Sequence, residues 1–209
     1  MRRVGSPAGI LATAIILLTF GVFRSALAAA PASPAPEPTF TASQVSDATS
    51  ALSAAILVDH QQSILPDGFD AGELSTEQFR QLDARIVGAY TTHFSGEALS
   101  RRLGNLRSWA TDIMTRPLPR TLSSRLDRLD VASADVSAGG LVLAATYVIY
   151  QVTAQGDTGT DELIWGGWVT NSVTAQMILV GDRWTIASYT EQQTDSRNDP
   201  SVQKGWTTG

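Results

Sequence analysis

One of the two histidines lies where acid–base chemistry could take place. His93 follows Tyr90 near the end of an apolar helical stripe, and Tyr147 or Tyr150 from a predicted strand could face the same pocket. General acid–base catalysis by an imidazole needs a carboxylate to orient the ring. The nearest acidic candidate, Asp83, lies about ten residues earlier, several helical turns away. We therefore assign no catalytic residue and interpret His93 as a half-exposed histidine at a helix end.

The other histidine, His60, directly follows Asp59. Adjacent residues on a helix diverge by about 100°, so these two side chains are not expected to share a face. Near the end of a helix a histidine interacts favourably with the helix dipole, which is the role predicted for His60. The two histidines are far apart and show no H-x-x-x-H or H-E-x-x-H spacing, so neither a metal site nor a cofactor is predicted.

Two tryptophans flank a pair of glycines in a predicted strand. Trp165 and Trp168 lie on either side of Gly166-Gly167, which we interpret as a bulge or sharp bend. The two rings could present one aromatic surface inward and one at a pocket mouth, where they would bind an apolar ligand or a partner. The alternative is that both rings cover the exposed edge of the sheet. The predicted ligand-binding set is Tyr90, His93, Tyr147, Trp165 and Trp168.

A group of acidic residues in a Gly- and Thr-rich stretch could suggest calcium. Asp157, Asp161 and Glu162 lack the alternating ligand spacing and the closing glutamate of a calcium loop, so a solvated hairpin connection is predicted. The chain has no cysteine, which excludes disulfides, thiol nucleophiles and cysteine-ligated metals. With 15 basic against 20 acidic residues, it carries no electrostatic signature of nucleic-acid binding.

Three amphipathic segments must position these side chains. Capping-box pairs at Thr41/Gln44 and Ser75/Gln78 predict helices over about 42–62 and 76–92. A third apolar stripe predicts a helix that ends before Pro117, with the arginines at 101, 102 and 107 placed off the stripe.

The second half of the chain predicts an antiparallel meander. A first, irregular strand is expected around 129–136, followed by strands over 141–153, 163–180 and 183–189. In the last strand Trp184, Ile186 and Ser188 are expected to share a face. Both faces of 141–153 are largely apolar, which predicts a central strand. The tail, 192–209, is polar and is predicted to be disordered.

The N-terminus predicts export. A basic start at Arg2-Arg3, an apolar run from Ile10 to Phe23 and small residues before Ala30 are typical of a signal peptide over 1–30. An uncleaved membrane anchor is the alternative. Residues 31–40, rich in Pro and Ala, predict a tether to a domain over 41–191. The body is expected outside the cytoplasm, either secreted or anchored to the cytoplasmic membrane.

Three helices followed by a long meander with a Gly181-Asp182 turn and an aromatic Trp184 resemble the nuclear transport factor 2-like (cystatin-like cone) superfamily. The resemblance covers about 42–191 and rests also on the two long strands at 141–147 and 173–180. It implies an α+β fold in which N-terminal helices pack on a curved antiparallel sheet, preceded here by the apolar export or anchor helix.

In layout the chain resembles exported bacterial members, including mammalian-cell-entry-associated membrane proteins. That resemblance implies a non-catalytic binding or assembly domain of the bacterial cell envelope with an envelope protein as partner. The alternative is a small-molecule binder or an enzyme of the polyketide-cyclase or ketosteroid-isomerase type. Such a protein would use the cone pocket with Tyr90, His93 and Trp168 to hold an apolar small molecule.

Overall fold

The computed structural model describes residues 39–137, 139–155 and 163–202. The predicted export segment and nearly all of the tether lie outside these residues, as do the acidic stretch around Asp157 and the last seven positions. None of the helices within the described ranges has the length and apolar character needed to cross a bilayer.

The described residues form three α-helices before the sheet begins. They are α1 (Ala42–Gln61), α2 (Thr76–His93) and α3 (Gly96–Asp112). Both predicted capping boxes are present, with Thr41 and Ser75 as the N-cap residues. In each box the cap side chain accepts a hydrogen bond from a backbone N–H, and the glutamine three residues on accepts one from the cap's own N–H. These pairs fix where α1 and α2 begin.

The sheet consists of β1 (Arg120–Ser137), β2 (Gly140–Gln155), β3 (Leu163–Val180) and β4 (Arg183–Asn198). Its order is β1-β2-β3-β4, and each neighbouring pair is antiparallel. The prediction of an α+β fold is confirmed at this level: three helices pack against a four-stranded open antiparallel sheet.

The core lies between the helices and one face of the sheet, which we call the inner face. Alternate residues of β2, from Leu141 to Ile149, are buried on this face, as predicted for a central strand. They pack with aliphatic residues of α1 and α2 such as Leu52 and Ile86. We call the opposite face the outer face, and the short 3-10 helix near the C-terminus packs against it beside Gly166 of β3.

The sheet is longer than the sequence pattern predicts. The first strand already begins at Arg120, and the last continues to Asn198, followed by a 3-10 helix at Pro200–Val202. The prediction of a disordered tail is therefore wrong for the residues through Val202. Nearly all of this added β4 segment is exposed, so hydrophobic patterning carries no signal for it.

The predicted face of Ser188 in β4 and the bulge predicted in β3 are wrong. The β3–β4 register shifts between Met177 and Gln176, which turns Ser188 outward and buries Tyr189 beside Ile186. The β2–β3 register runs without a shift past Gly166 and Gly167, so no bulge lies there in that pairing. Gly166 instead leaves room for Val202 to pack closely against the strand, because a Cβ at this position would lie 1.9 Å from a methyl carbon of Val202.

Candidate functional site

A buried carboxylate in α1 is the centre of a polar cluster on the inner face. Asp59 is 9% exposed. It accepts hydrogen bonds from the Tyr90 hydroxyl of α2 and from Nη1 of Arg102 in α3. The same Tyr90 hydroxyl also contacts Oε1 of Gln62, just after α1. One acidic side chain thus links all three helices.

The guanidinium of Arg102 joins this carboxylate to the sheet. Its central carbon lies 4.3 Å from the ring centroid of Tyr189 in β4 and 5.0 Å from that of Phe94 after α2. Burial alone would lower the pKa of Arg102, but the negative charge of Asp59 raises it overall. Arg102 is therefore a permanently charged partner for Asp59.

A second set of side chains continues from His60 across the sheet. The Nε2 atom of His60 lies 2.8 Å from the hydroxyl of Tyr147 in β2, and that hydroxyl donates to Glu191 in β4. On the other side of the ring, Nδ1 lies 2.9 Å from Nε2 of Gln151. Every group is satisfied if Gln151 donates to Nδ1 and a neutral His60 donates from Nε2 to Tyr147.

The ionisation of the cluster follows from its burial. The pKa of His60 is lowered by burial, an effect that Glu191 and Asp59 partly offset. Burial and neighbouring carboxylates raise the pKa of Tyr90 and of Tyr147, so both phenols remain protonated donors. The hydroxyl of Tyr189 is buried next to that of Tyr147.

Two open depressions lead to this cluster, which we name the inner polar cluster: Asp59, His60, Gln62, Tyr90, Arg102, Tyr147, Gln151, Tyr189 and Glu191. One depression, of about 320 Å³, is lined by Asp59, Arg102 and Asn105. The other, also about 320 Å³, is lined by Arg102, Asn105 and Glu191. Within the described part of the chain, no group of three or more histidine, cysteine or acidic residues could hold a metal ion.

The structure brings only two of the predicted ligand-binding residues together in this cluster, Tyr90 and Tyr147. His93 ends α2 half-buried, and its pKa is lowered by burial and by Arg183. No described acidic residue forms a hydrogen bond or ion pair with its ring. Trp165 donates to Asn198 over 2.8 Å, outside the cluster. The ligand roles of these residues stay predictions.

Trp168 belongs to a row of side chains on the outer face. Arg125, Tyr150, Trp168 and Arg197 are register neighbours across the four strands. Each guanidinium carbon lies 4.3 Å from the ring centroid beside it, and the two rings meet edge to face at 4.9 Å. We call these four residues the cross-strand row. The bulge residue Asp127 accepts from both Arg125 and Trp168.

The functional residues that sequence reasoning missed lie on the buried faces of the helices. Asp59 is four residues after buried Ala55 and so lies on the same face of α1. A carboxylate at such a core position is the feature of the sequence that indicates a buried polar cluster. Arg102, predicted to lie off the apolar stripe, in fact lies between buried Ala98 and Leu106. His60 was assigned to the helix dipole, whereas its ring lies against the sheet.

Comparison of the chain with protein-family models, with curated proteins and with solved structures found no match. The fold and the two polar groupings therefore carry the functional argument.

Proposed function

We propose that this protein is a non-catalytic binding or assembly domain of the bacterial cell envelope, exported or anchored by its N-terminal segment. The observation that carries the proposal is the internal pairing of the inner polar cluster. Asp59 is neutralised by Arg102, and Glu191 accepts from Tyr147. Side chains that satisfy one another in this way connect helices to sheet and leave few groups to act on a substrate.

The composition of the outer face of the sheet favours binding of a protein partner. The cross-strand row presents Arg125, Arg197 and the half-buried Trp168 above the buried ring of Tyr150, and arginine and tryptophan are among the residue types that dominate binding energy at protein interfaces. The face around it includes short polar side chains such as Thr146, Ser172 and Thr174, together with aliphatic ones such as Val142 and Val148. A surface of this composition suits a non-obligate interface with an aromatic and arginine centre and a polar rim.

Export is tested by fusing residues 1–40 to alkaline phosphatase, which is active only outside the cytoplasm. The basic residues at positions 2 and 3 and the apolar run over 10–23 should export the reporter. We expect activity in intact cells, and replacing Leu17 and Leu18 by arginine should abolish it. If the unaltered fusion shows no phosphatase activity in intact cells, the export prediction is contradicted.

The partner surface is tested by a photo-crosslinking amino acid placed at Thr146 on the outer face. The matched control is Ser108, an exposed position on α3. We expect protein adducts in intact envelopes from Thr146 and none from Ser108, with weaker adducts when Trp168→Ala is added. Adducts that form at Ser108 alone would place the partner on the helices and overturn this assignment.

A second candidate, an acid–base enzyme or small-molecule binder, is favoured by one observation. The hydrogen-bonded chain from His60 through Tyr147 ends at Glu191, which lines an open depression. A carboxylate at that place could abstract a proton next to a carbonyl. Deuterium exchange into a simple ketone, followed by NMR, separates the two functions. Exchange above the buffer rate that is lost in Glu191→Gln would favour the enzyme.

A further inference from the structure

A groove between α1 and α2 has features of a ligand site that the inner polar cluster does not explain. Its volume is about 310 Å³, at the lower end of the range for small-molecule pockets, about 300–1,000 Å³. Val58, Ile64, Ile86 and Ala89 supply aliphatic walls, and most of the exposed lining is apolar. A cavity of this composition favours a hydrocarbon chain.

One cation, Arg85, lies in this lining, together with the neutral polar side chains of Gln61 and Gln62. Its Nη2 atom donates to the backbone carbonyl oxygens of Gln62 and Ile64, just beyond the end of α1. Among the described residues no carboxylate pairs with Arg85, unlike Arg80 of the same helix, which pairs with Glu77. Arg85 is an exposed residue, and an anion beside it would be attracted by its positive charge.

The carbonyl contacts fix the guanidinium but use only one of its three nitrogens. Nε and Nη1 donate to no described residue, and Nη1 keeps two N–H groups that can donate to an oxygen of a carboxylate or phosphate. Capping the end of α1 explains the Nη2 contacts alone. The two remaining nitrogens and the aliphatic walls are left without a described partner.

We propose that the groove between α1 and α2 binds an aliphatic anion, with its head on Arg85 and its chain along Val58, Ile86 and Ala89. The carboxylate or phosphate accepts from Nη1, and the hydrocarbon replaces water along the apolar walls. The floor is closed by Tyr90, whose hydroxyl is already held by Asp59 and Gln62. This site is independent of the outer face and of the proposed assembly function.

The test uses decanoate with a photoreactive diazirine at its far end, added to the full chain in lipid nanodiscs. Labelled residues are mapped by mass spectrometry, which separates the groove from non-specific partitioning. We expect labelling at Val58, Ile86 or their neighbours. Excess decanoate or decyl phosphate should compete, and decanol should compete poorly because it has no charge for Arg85.

The variants separate the head from the chain. Arg85→Gln should reduce labelling of the groove about tenfold or more, the loss expected for a hydrogen bond to a charged group. Ala89→Phe should block labelling by filling the groove while Arg85 stays in place. The control Arg80→Gln removes a cation from the same helix and should label like the wild type.

Three results would overturn the proposal: groove labelling that is unchanged in Arg85→Gln, groove labelling that is unchanged in Ala89→Phe, or decanol that competes as well as decanoate. Circular dichroism establishes that each variant is folded. Should Arg85→Gln unfold, Arg85→Lys, which keeps the charge but not the guanidinium, provides the comparison with Ala89→Phe. If decyl phosphate competes better than decanoate, the head group is a phosphate, which the same site accommodates.

Discussion

At the scale of single residues, the structure depends most on Asp59. A buried carboxylate is costly unless it is paired and hydrogen-bonded, and here Tyr90 and Arg102 supply both requirements. Asp59→Asn would leave the Arg102 guanidinium without its counter-charge in a mostly buried place. We expect the free energy of unfolding to fall by about 3 kcal/mol, as for buried pairs that lose one partner. Urea denaturation measures this loss.

The matched control is Asp83→Asn, because Asp83 pairs with Arg107 at the protein surface. An exposed pair contributes about 1 kcal/mol or less, so this variant should unfold close to the wild-type midpoint. Equal losses in the two variants would show that Asp59 is no more important than a surface carboxylate.

His60 predicts a pH dependence of stability. Its pKa in the folded protein lies below the ordinary value of 6.5 because burial disfavours the charged ring. The unfolded chain therefore binds the proton more readily, and stability is lost as the pH falls below about 6.5 and through the folded pKa. In a His93→Gln background, His60 is the only histidine, and NMR should report an imidazole pKa below 6.5 for it. A value above 6.5 would mean that Glu191 dominates over burial.

At the scale of elements, the helix starts could be predicted and the full extent of the strands could not. Capping at Thr41 and Ser75 is local chemistry, so it is legible in the sequence. The second half of β4 is polar and exposed, and it is a strand because β3 offers unpaired backbone groups to it. A register shift decides that Tyr189 is buried in place of Ser188, and alternation alone cannot reveal such a shift.

The contact between β3 and the C-terminal 3-10 helix makes a sharp prediction. In Gly166→Ala the new Cβ would lie 1.9 Å from Cγ2 of Val202, so Val202 must move. We expect a loss of about 1–3 kcal/mol in the free energy of unfolding, the usual cost of overpacking. Adding Val202→Ala removes that methyl group and should restore most of the loss, as measured by thermal unfolding.

The control for this pair is Gly104→Ala in α3, where a Cβ would meet no atom within 4 Å. It should leave stability unchanged or raise it by up to about 1 kcal/mol, because alanine favours the helix. If Val202→Ala fails to restore Gly166→Ala, the cost arises from the strand itself.

At the scale of the whole molecule, the candidate site shows why sequence reasoning stopped at Tyr90 and Tyr147. The inner polar cluster takes side chains from all three helices, β2 and β4, and Asp59 meets Arg102 only because α1 and α3 both pack near the sheet. Residue types and their spacing within one helix or strand therefore suggest candidate residues. Which residues these candidates contact depends on how the helices and strands pack, which the sequence pattern does not show. A charged residue at a buried helical position, such as Arg102, is the kind of signal that leads to such a cluster.

The same distribution of contacts predicts that the domain folds without the N-terminal segment. Every described core residue lies between Ala48 and Tyr189, and residues from Glu37 onward form one compact unit. A fragment spanning Glu37–Gly209 should unfold in one cooperative transition, because helices and sheet share a single core. Circular dichroism and tryptophan fluorescence, followed together in urea, should give coincident midpoints. Separate midpoints for the two signals would mean that the helices and the sheet unfold independently, in which case Asp59 and Arg102 do not couple them.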